Sequence, residues 1–208
     1  MALLRNQPER EAKDIAVGLE RYTEGSFNVY AHQTNVELNN RLLCFDTRDF
    51  GDNLKTAGML VVLDAVVNRM SRNQKLKKHT WLYIDEIYLM FADAYSRQYL
   101  FKLWKRVRKL GGLCTGLTQN VGDMLNYDDA RTMLANSEFL VMMNQASEDR
   151  SDLTELYQLS SLQQERITNS RTGHGLIRCG RSFIPFENEF PRDTELYKLM
   201  TSKLEERL

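Results

Sequence analysis

The sequence predicts an α/β fold in which a mostly parallel sheet is flanked by helices and an antiparallel hairpin lies at one edge. Three runs of almost continuous apolar character, at 80–84, 113–118 and 139–143, alternate with helical patterns. Strands of a parallel sheet are covered on both faces, so they lack the strict alternation of a half-exposed strand. The chain has 208 residues, 42% of them hydrophobic, which suits one large domain or one domain with a smaller appendage.

The N-terminal third contains two predicted helices and one predicted strand. Residues 8–22 begin at a proline and carry apolar side chains at helical spacing until a glycine ends the pattern. The polar stretch 24–40 is predicted to be a loop, and the short apolar run 42–45 a buried strand. The apolar pattern over 52–73 is again helical, with Asp52 as its predicted N-cap.

The later elements follow from the same patterns. A helix is predicted over 93–110, where two glycines then break it before the second apolar run. Residues 175–179 and 181–186 alternate around Gly180, as the two strands of an antiparallel hairpin do. A final amphipathic helix is predicted over 193–206.

Composition limits the kinds of protein this chain can be. With 28 basic and 28 acidic residues the net charge is zero, which argues against a dedicated nucleic-acid-binding module. Three cysteines without a CxxC pair indicate a reducing, cytoplasmic compartment. No run approaches the roughly 18 apolar residues that a membrane-spanning helix needs, so we expect any membrane attachment to come through a partner. The basic residues still form two local clusters: Lys75, Lys77 and Lys78, and Lys102, Lys105, Arg106, Arg108 and Lys109.

The strongest chemical signal is the segment 81–86, in which four apolar residues precede Asp85 and Glu86. Ligands of α/β proteins bind at the carboxyl ends of the strands, and two adjacent carboxylates are costly to place there without a cation. In nucleotide hydrolysis Asp85 would bind Mg²⁺ and Glu86 would polarise the attacking water. The alternatives are a solvated acidic turn and a metal-dependent nuclease that uses the same pair.

Gln119 follows the next predicted strand, so a parallel sheet would place it beside these carboxylates. An uncharged amide at that position can bridge a water molecule and the terminal phosphate of a nucleotide. The alternative is an ordinary polar residue at the end of a strand.

Two arginines are candidates for action on a neighbouring subunit. Arg108 lies at the basic end of the helix between the two strands, where the helix dipole alone would favour a cation. The functional alternative is an arginine finger, which contributes roughly 10³–10⁵ in rate. Arg171, in the glycine-flanked segment 169–175, is a secondary candidate, and an ordinary mobile loop is the simpler interpretation.

A phosphate-binding loop is absent from the sequence. Such a loop needs the pattern GxxxxGK followed by Ser or Thr, so that backbone amides and the lysine surround the phosphates. No glycine in the 208 residues is followed by lysine.

The segments that contain Asp85 and Glu86, Arg108, and Gln119 resemble, in this order along the chain, the type IV secretion and conjugation ATPases of the TraC/TraE-like family. The resemblance is carried by TWLYIDEIYLMFA at 80–92, LWKRVRKLGGLCTGLTQNVGDML at 103–125 and NSEFLVMMNQA at 136–146. Further support comes from the dipeptide Gly25-Ser26 and the tripeptide Thr34-Asn35-Val36. The likeness extends from about residue 8 to the C-terminus.

The resemblance implies a RecA-like P-loop NTPase core from which the P-loop strand is missing. It implies Asp85 and Glu86 as the Walker B acids, Gln119 as the sensor and Arg108 as the arginine that acts in trans. Residues 1–40 would be a helical and loop remnant of an upstream subdomain. Residues 41–208 would be the C-terminal part of the ATPase domain.

The resemblance also implies a biological setting. The intact protein would hydrolyse ATP with Mg²⁺ as a ring, typically a hexamer, at the cytoplasmic face of the bacterial inner membrane. Its partners would be the coupling protein and inner-membrane channel components, with DNA as a less supported partner. We expect the fragment alone to be inactive and to bind neither ATP nor Mg²⁺. The alternative is a non-enzymatic interaction module of the secretion complex.

Overall fold

The computed structural model describes residues 2–25, 27–33, 35–48, 50–119, 121–201 and 203. The chain divides into two compact units, Met1–Val62 and Leu63–Leu208, and the predicted boundary after residue 40 stays a prediction. The side chain of Asp52 is not described, so its role as an N-cap also stays a prediction. The parts of our predictions that lie outside the described residues are Ser26, Thr34, Asn120, Ser202 and residues 204–206.

The first unit is mainly helical. Helix α1 spans Ala2–Arg5 and helix α2 spans Arg10–Thr23, which confirms the helix predicted over 8–22. A salt bridge of 3.1 Å between Arg5 and Glu20 joins the two helices, and Ala16 is buried. A 3₁₀ turn at Asn28–Tyr30 interrupts the predicted loop.

The strand predicted over 42–45 is wrong. These residues have no regular secondary structure, and the side chains of Leu42 and Leu43 are 78% and 38% exposed. A strand forms only where another strand satisfies its backbone hydrogen bonds. No strand in the described part of the chain pairs with this run, so its apolar composition alone does not make it extended.

The second unit contains a parallel pair of strands, β1 (Thr80–Ile84) and β2 (Gly112–Gly116). Helix α3 (Asp52–Lys75) precedes β1, and helix α4 (Ala94–Arg106) connects the two strands. Helix α4 begins where Asp93 accepts a hydrogen bond from the Ser96 amide at 2.7 Å. Short 3₁₀ turns, at Ile87–Met90 and Val107–Leu110, flank α4.

A second sheet contains the strands β3, β4 and β5, all antiparallel. Strands β4 and β5 form the predicted hairpin, and Gly180 adopts φ +57° in its turn, where glycine is favoured. The bounds of the remaining elements are α5 Val121–Leu125, α6 Asp128–Ala135, β3 Phe139–Met142, α7 Ser147–Tyr157, α8 Ser161–Glu165, β4 His174–Cys179, β5 Ser182–Glu187 and α9 Glu195–Met200.

The α/β class is confirmed, but the run at 139–143 does not extend the parallel pair. As β3 it pairs with β4 in the antiparallel direction, from Phe139 opposite Cys179 to Met142 opposite Leu176. Strand direction depends on how the chain returns to the sheet, and the apolar composition of the run does not specify it. Parallel pairing is therefore confined to β1 and β2 in the described residues.

Each sheet buries one face more than the other. A core cluster forms beside the antiparallel sheet from Met142, Leu153, Leu159, Ile167 and Leu176. On β1, by contrast, Trp81 and Tyr83 are each 61% exposed and lie outside the core. Phe91, 1% exposed, is buried. No helix in the described part of the chain is both long and apolar enough to span a membrane.

Candidate functional site

The carboxyl ends of β1 and β2 lie side by side. The last residue pair of the parallel ladder joins Ile84 to Gly116. Two backbone hydrogen bonds continue the pairing past it: the Leu117 amide donates to the Ile84 carbonyl at 2.8 Å, and the Ile87 amide donates to the Leu117 carbonyl at 2.9 Å. The residues that follow both strands are therefore fixed at one edge of the sheet, where α/β proteins bind ligands.

Glu86 and Gln119 are in direct contact at this edge. The Gln119 amide Nε2 donates to Glu86 Oε1 at 2.5 Å. The other carboxylate oxygen, Oε2, is buried and has no hydrogen-bond partner among the described residues. A buried carboxylate oxygen without a partner is costly, so water or a cation would be stabilised beside it. This arrangement fits a group that polarises water or faces bound Mg²⁺.

The backbone of Glu86 is strained. It adopts φ 48° and ψ 48°, a left-handed conformation that costs a residue other than glycine on the order of 1 kcal/mol. The 3₁₀ turn at Ile87–Met90 follows directly, with Ile87 and Met90 buried, and this packing maintains the strained position. Strained conformations of this kind are concentrated at functional sites.

Asp85 lies beside Glu86 and points its carboxylate towards solvent. Its Oδ1 accepts a hydrogen bond from the Glu86 amide at 3.1 Å, and the side chain is exposed. Among the described residues no group of three or more His, Cys, Asp or Glu side chains is close enough to hold a metal ion by itself. Mg²⁺ commonly uses one or two carboxylates together with phosphate oxygens, so Asp85 suits that role only with a bound nucleotide.

Asp149 supports the Gln119 loop and was not predicted from the sequence. Its Oδ1 accepts a hydrogen bond from the Gly122 amide at 2.7 Å, which fixes the first turn of α5 just after Gln119. A β-carbon on residue 122 would lie 2.9 Å from the same oxygen, so glycine permits the contact. An acidic residue in the first turn of a helix is common, and sequence offered no other signal for Asp149.

Arg108 lies at the opposite end of the sheet. It is an exposed residue of the 3₁₀ turn that precedes β2, whereas Gln119 follows β2. The five residues of β2 separate the two by roughly 16 Å at the usual rise of a strand. Arg108 therefore does not meet Glu86 within one chain, and its predicted role requires a second copy.

Arg171 is also remote from the carboxylates. It is exposed and lies just before β4, where the His174 amide donates to its carbonyl at 3.0 Å. It lines a cleft of about 490 Å³ together with Arg166, His174 and Glu187. The structure thus brings together Asp85, Glu86 and Gln119 and leaves both arginines elsewhere.

Comparison with known proteins identifies a family and a solved structure that are similar to this chain. The family model for the TraG P-loop domain matches residues 9–171. The solved structure of VirB4 of Thermoanaerobacter pseudethanolicus is similar over 94% of this chain, with a TM-score of 0.76 and 25% sequence identity. The chain spans 54% of the length of that VirB4 chain. No curated protein matches. The fold is that of a RecA-like P-loop NTPase core.

Proposed function

Because the chain belongs to the TraG P-loop domain family, we propose that it forms the catalytic-acid and sensor part of a motor ATPase that powers type IV secretion or conjugative transfer. The observation that carries this proposal is the contact between Glu86 and Gln119 at the shared carboxyl edge of β1 and β2. Two neighbouring parallel strands thereby deliver a carboxylate and an amide to one point, where the terminal phosphate of a nucleotide would bind.

Each residue has a distinct task in this proposal. Glu86 accepts a hydrogen bond from the attacking water through the oxygen that Gln119 leaves free. Gln119 orients that water and contacts the terminal phosphate, and the exposed Asp85 would hold Mg²⁺. Arg108 of a neighbouring copy stabilises the charge that develops on the phosphate. Bound ATP would supply the reacting phosphate, and bound Mg²⁺ would neutralise part of its negative charge.

The phosphate cradle is not among the 208 residues, since none of their glycines precedes a lysine. The open face of the β1–β2 sheet supports a contribution from another segment, because Trp81, Tyr83 and Leu113 expose 61%, 61% and 42% of their surface there. We therefore expect no magnesium-dependent ATPase from this chain alone.

The test joins this chain to a P-loop-bearing segment in one polypeptide. We expect that polypeptide to hydrolyse ATP with Mg²⁺, and Glu86→Gln to lower kcat by about 10²–10⁴-fold, the usual contribution of a general base. The matched control is Glu189→Gln, an exposed acid in the loop after β5 and remote from the site, which leaves kcat unchanged. Equal hydrolysis by the Glu86→Gln protein would show that the Walker B assignment is wrong.

A second candidate is a non-enzymatic module that docks onto secretion partners, such as the coupling protein or inner-membrane channel components. The exposed aromatic pair Trp81 and Tyr83, whose rings stack at 6.3 Å, favours it because such a surface is suited to a protein contact. In this case the joined polypeptide binds partners but hydrolyses no ATP. For either function we propose a location at the cytoplasmic face of the membrane, reached through those partners.

A further inference from the structure

The segment that carries Gln119 is fixed on both sides of this residue. On the amino-terminal side, the Leu117 amide donates to the Ile84 carbonyl at 2.8 Å, which continues the pairing of the two parallel strands. On the carboxyl-terminal side lies the first turn of α5, whose Gly122 amide donates to Asp149 Oδ1 at 2.7 Å. Because the segment between the two contacts is short, the place of Gln119 depends on each of them.

The contact between Gly122 and Asp149 has the features of a strong hydrogen bond. The first amides of a helix have no carbonyl partner within that helix, so the Gly122 amide needs an acceptor from elsewhere. Asp149 supplies a carboxylate, and charge-assisted hydrogen bonds are shorter and stronger than those between neutral groups. No ion pair in the described part of the chain includes Asp149, so no cation there competes with the amide for its carboxylate.

Asp149 belongs to a well-packed part of the fold. It lies in the first turn of α7, and Leu153, one turn further along this helix, is 2% exposed in the core cluster beside the antiparallel sheet. Val121 of α5 packs against the same cluster. The Gln119 segment is therefore held by the parallel strands through Leu117 and by the core of the antiparallel sheet through Asp149.

Glycine at position 122 permits this close approach of α5 and α7. A β-carbon there would lie 2.9 Å from Asp149 Oδ1 and 3.7 Å from Asp152 Oδ2. The first distance is shorter than a carbon and an oxygen tolerate, so the Asp149 carboxylate would move away and its hydrogen bond would lengthen. Substitution of Gly122 and substitution of Asp149 therefore disrupt the same contact from its two sides.

We propose that Asp149 is a positioning residue, which holds Gln119 against Glu86 through the Gly122 amide. Without its carboxylate the first turn of α5 loses an anchor, and the Gln119 side chain spends less time in contact with Glu86. Only the consequence for ATP hydrolysis rests on the proposed function. The simpler alternative is a contact that stabilises the fold and leaves Gln119 in place, and the test separates the two.

The side-chain amide of Gln119 reports its own position in nuclear magnetic resonance spectra of this chain. Its resonances depend on the hydrogen bond to Glu86, so the Glu86→Ala chain supplies the reference for an amide without that bond. We expect Asp149→Ala to move the Gln119 resonances towards this reference. Exchange of the Gly122 amide proton should accelerate roughly tenfold or more, because a hydrogen bond to a charged group no longer protects it.

Two control variants distinguish positioning from a general loss of structure. Asp149→Asn keeps an oxygen that accepts from the Gly122 amide, so it should restore most of the wild-type Gln119 spectrum. Glu155→Ala removes an exposed acid near the other end of α7 and should leave both signals unchanged. Circular dichroism checks that each variant folds.

Gly122→Ala tests the contact from its other side. Alanine is the better helix former, so a purely structural role predicts a more stable α5 and an unmoved Gln119. The positioning role predicts that the Gln119 resonances move as they do in Asp149→Ala. The two changes together should move them no further, because substitutions that act through one shared contact are not additive. This variant also gives the answer if Asp149→Ala does not fold.

The consequence for catalysis is measured in the polypeptide that joins this chain to a P-loop-bearing segment. We expect Asp149→Ala to lower kcat roughly 10- to 100-fold with KM for ATP nearly unchanged, since a small misplacement of a group at the reaction centre has effects of this size. Asp149→Asn should recover most of the lost kcat.

Two outcomes would overturn the proposal. One is a set of Gln119 resonances that stay at their wild-type positions in both Asp149→Ala and Gly122→Ala. The other is an active joined polypeptide whose kcat does not change with Asp149→Ala. A joined polypeptide that is inactive with all its wild-type residues would instead contradict the proposed function, and the Gln119 resonances would still decide whether Asp149 positions Gln119.

Discussion

At the scale of single residues, the environment of a side chain decides its chemistry. Glu86 combines a left-handed backbone, a hydrogen bond to Gln119 and a buried oxygen that has no hydrogen-bond partner in the described part of the chain. Its neighbour Asp85 is exposed. Two adjacent carboxylates thus have different surroundings, which suits them to different tasks, as in other sites that use paired acids. Their roles in ATP hydrolysis stay predictions.

The cysteines allow a test of burial at the same scale. Burial raises the pKa of the Cys114 thiol to about 12. Only about 10⁻⁴ of Cys114 is therefore present as the reactive thiolate at pH 8, and this fraction becomes substantial only as the pH nears 12. Cys44 is exposed. We expect iodoacetamide at pH 8 to modify Cys44 first and Cys114 only after denaturation, as followed by mass spectrometry. Alkylation of both at one rate in the folded chain would contradict this.

At the scale of elements, β1 differs from a typical strand of a parallel sheet. Its side chains alternate between one partly buried and one exposed face, and the exposed face carries Trp81 and Tyr83. Near-continuous apolar strands are expected where both faces are covered. The composition of β1 therefore indicates a second covering layer that the described residues do not supply.

The exposure of β1 is measurable by tryptophan fluorescence, because the chain has only two tryptophans. The Trp104→Phe protein reports Trp81, and the Trp81→Phe protein reports Trp104, which is only partly exposed. We expect acrylamide to quench Trp81 more strongly than Trp104, since 61% of Trp81 is exposed. Addition of a segment that covers the open face should reverse that order. Weaker quenching of Trp81 than of Trp104 in the chain alone would show that this face of β1 is already covered.

At the scale of the whole molecule, the core is unevenly distributed between the two units. Ile167 is fully buried in the cluster beside the antiparallel sheet, whereas Ile15 in α2 is 55% exposed. The same substitution therefore has different costs at the two positions. The reason is that only the buried site loses packing and leaves a cavity.

We expect Ile167→Ala to lower the free energy of unfolding by about 2–5 kcal/mol. The matched change Ile15→Ala should alter it by less than about 0.5 kcal/mol. Urea denaturation followed by circular dichroism measures both values. Similar losses for the two variants would show that the first unit contributes more to the cooperative core than its exposed residues indicate.

The sequence by itself determined the α/β class, most helices and strands, and the carboxylate pair at the end of β1. These features are local: apolar runs, helical spacing and glycine breaks lie within a few residues of the elements they define. The family resemblance also rests on local blocks. It was therefore available from the sequence and agrees with the match to the TraG P-loop domain.

The tertiary structure alone decided which strands pair and which face of each stays open. It placed β3 against β4, left residues 42–45 without a strand partner among the described residues, and joined two distant basic segments at one end of the β1–β2 sheet. It also identified Asp149 as the support of the Gln119 loop. Each of these results depends on hydrogen bonds between residues far apart in the chain, and no local pattern specifies such partners.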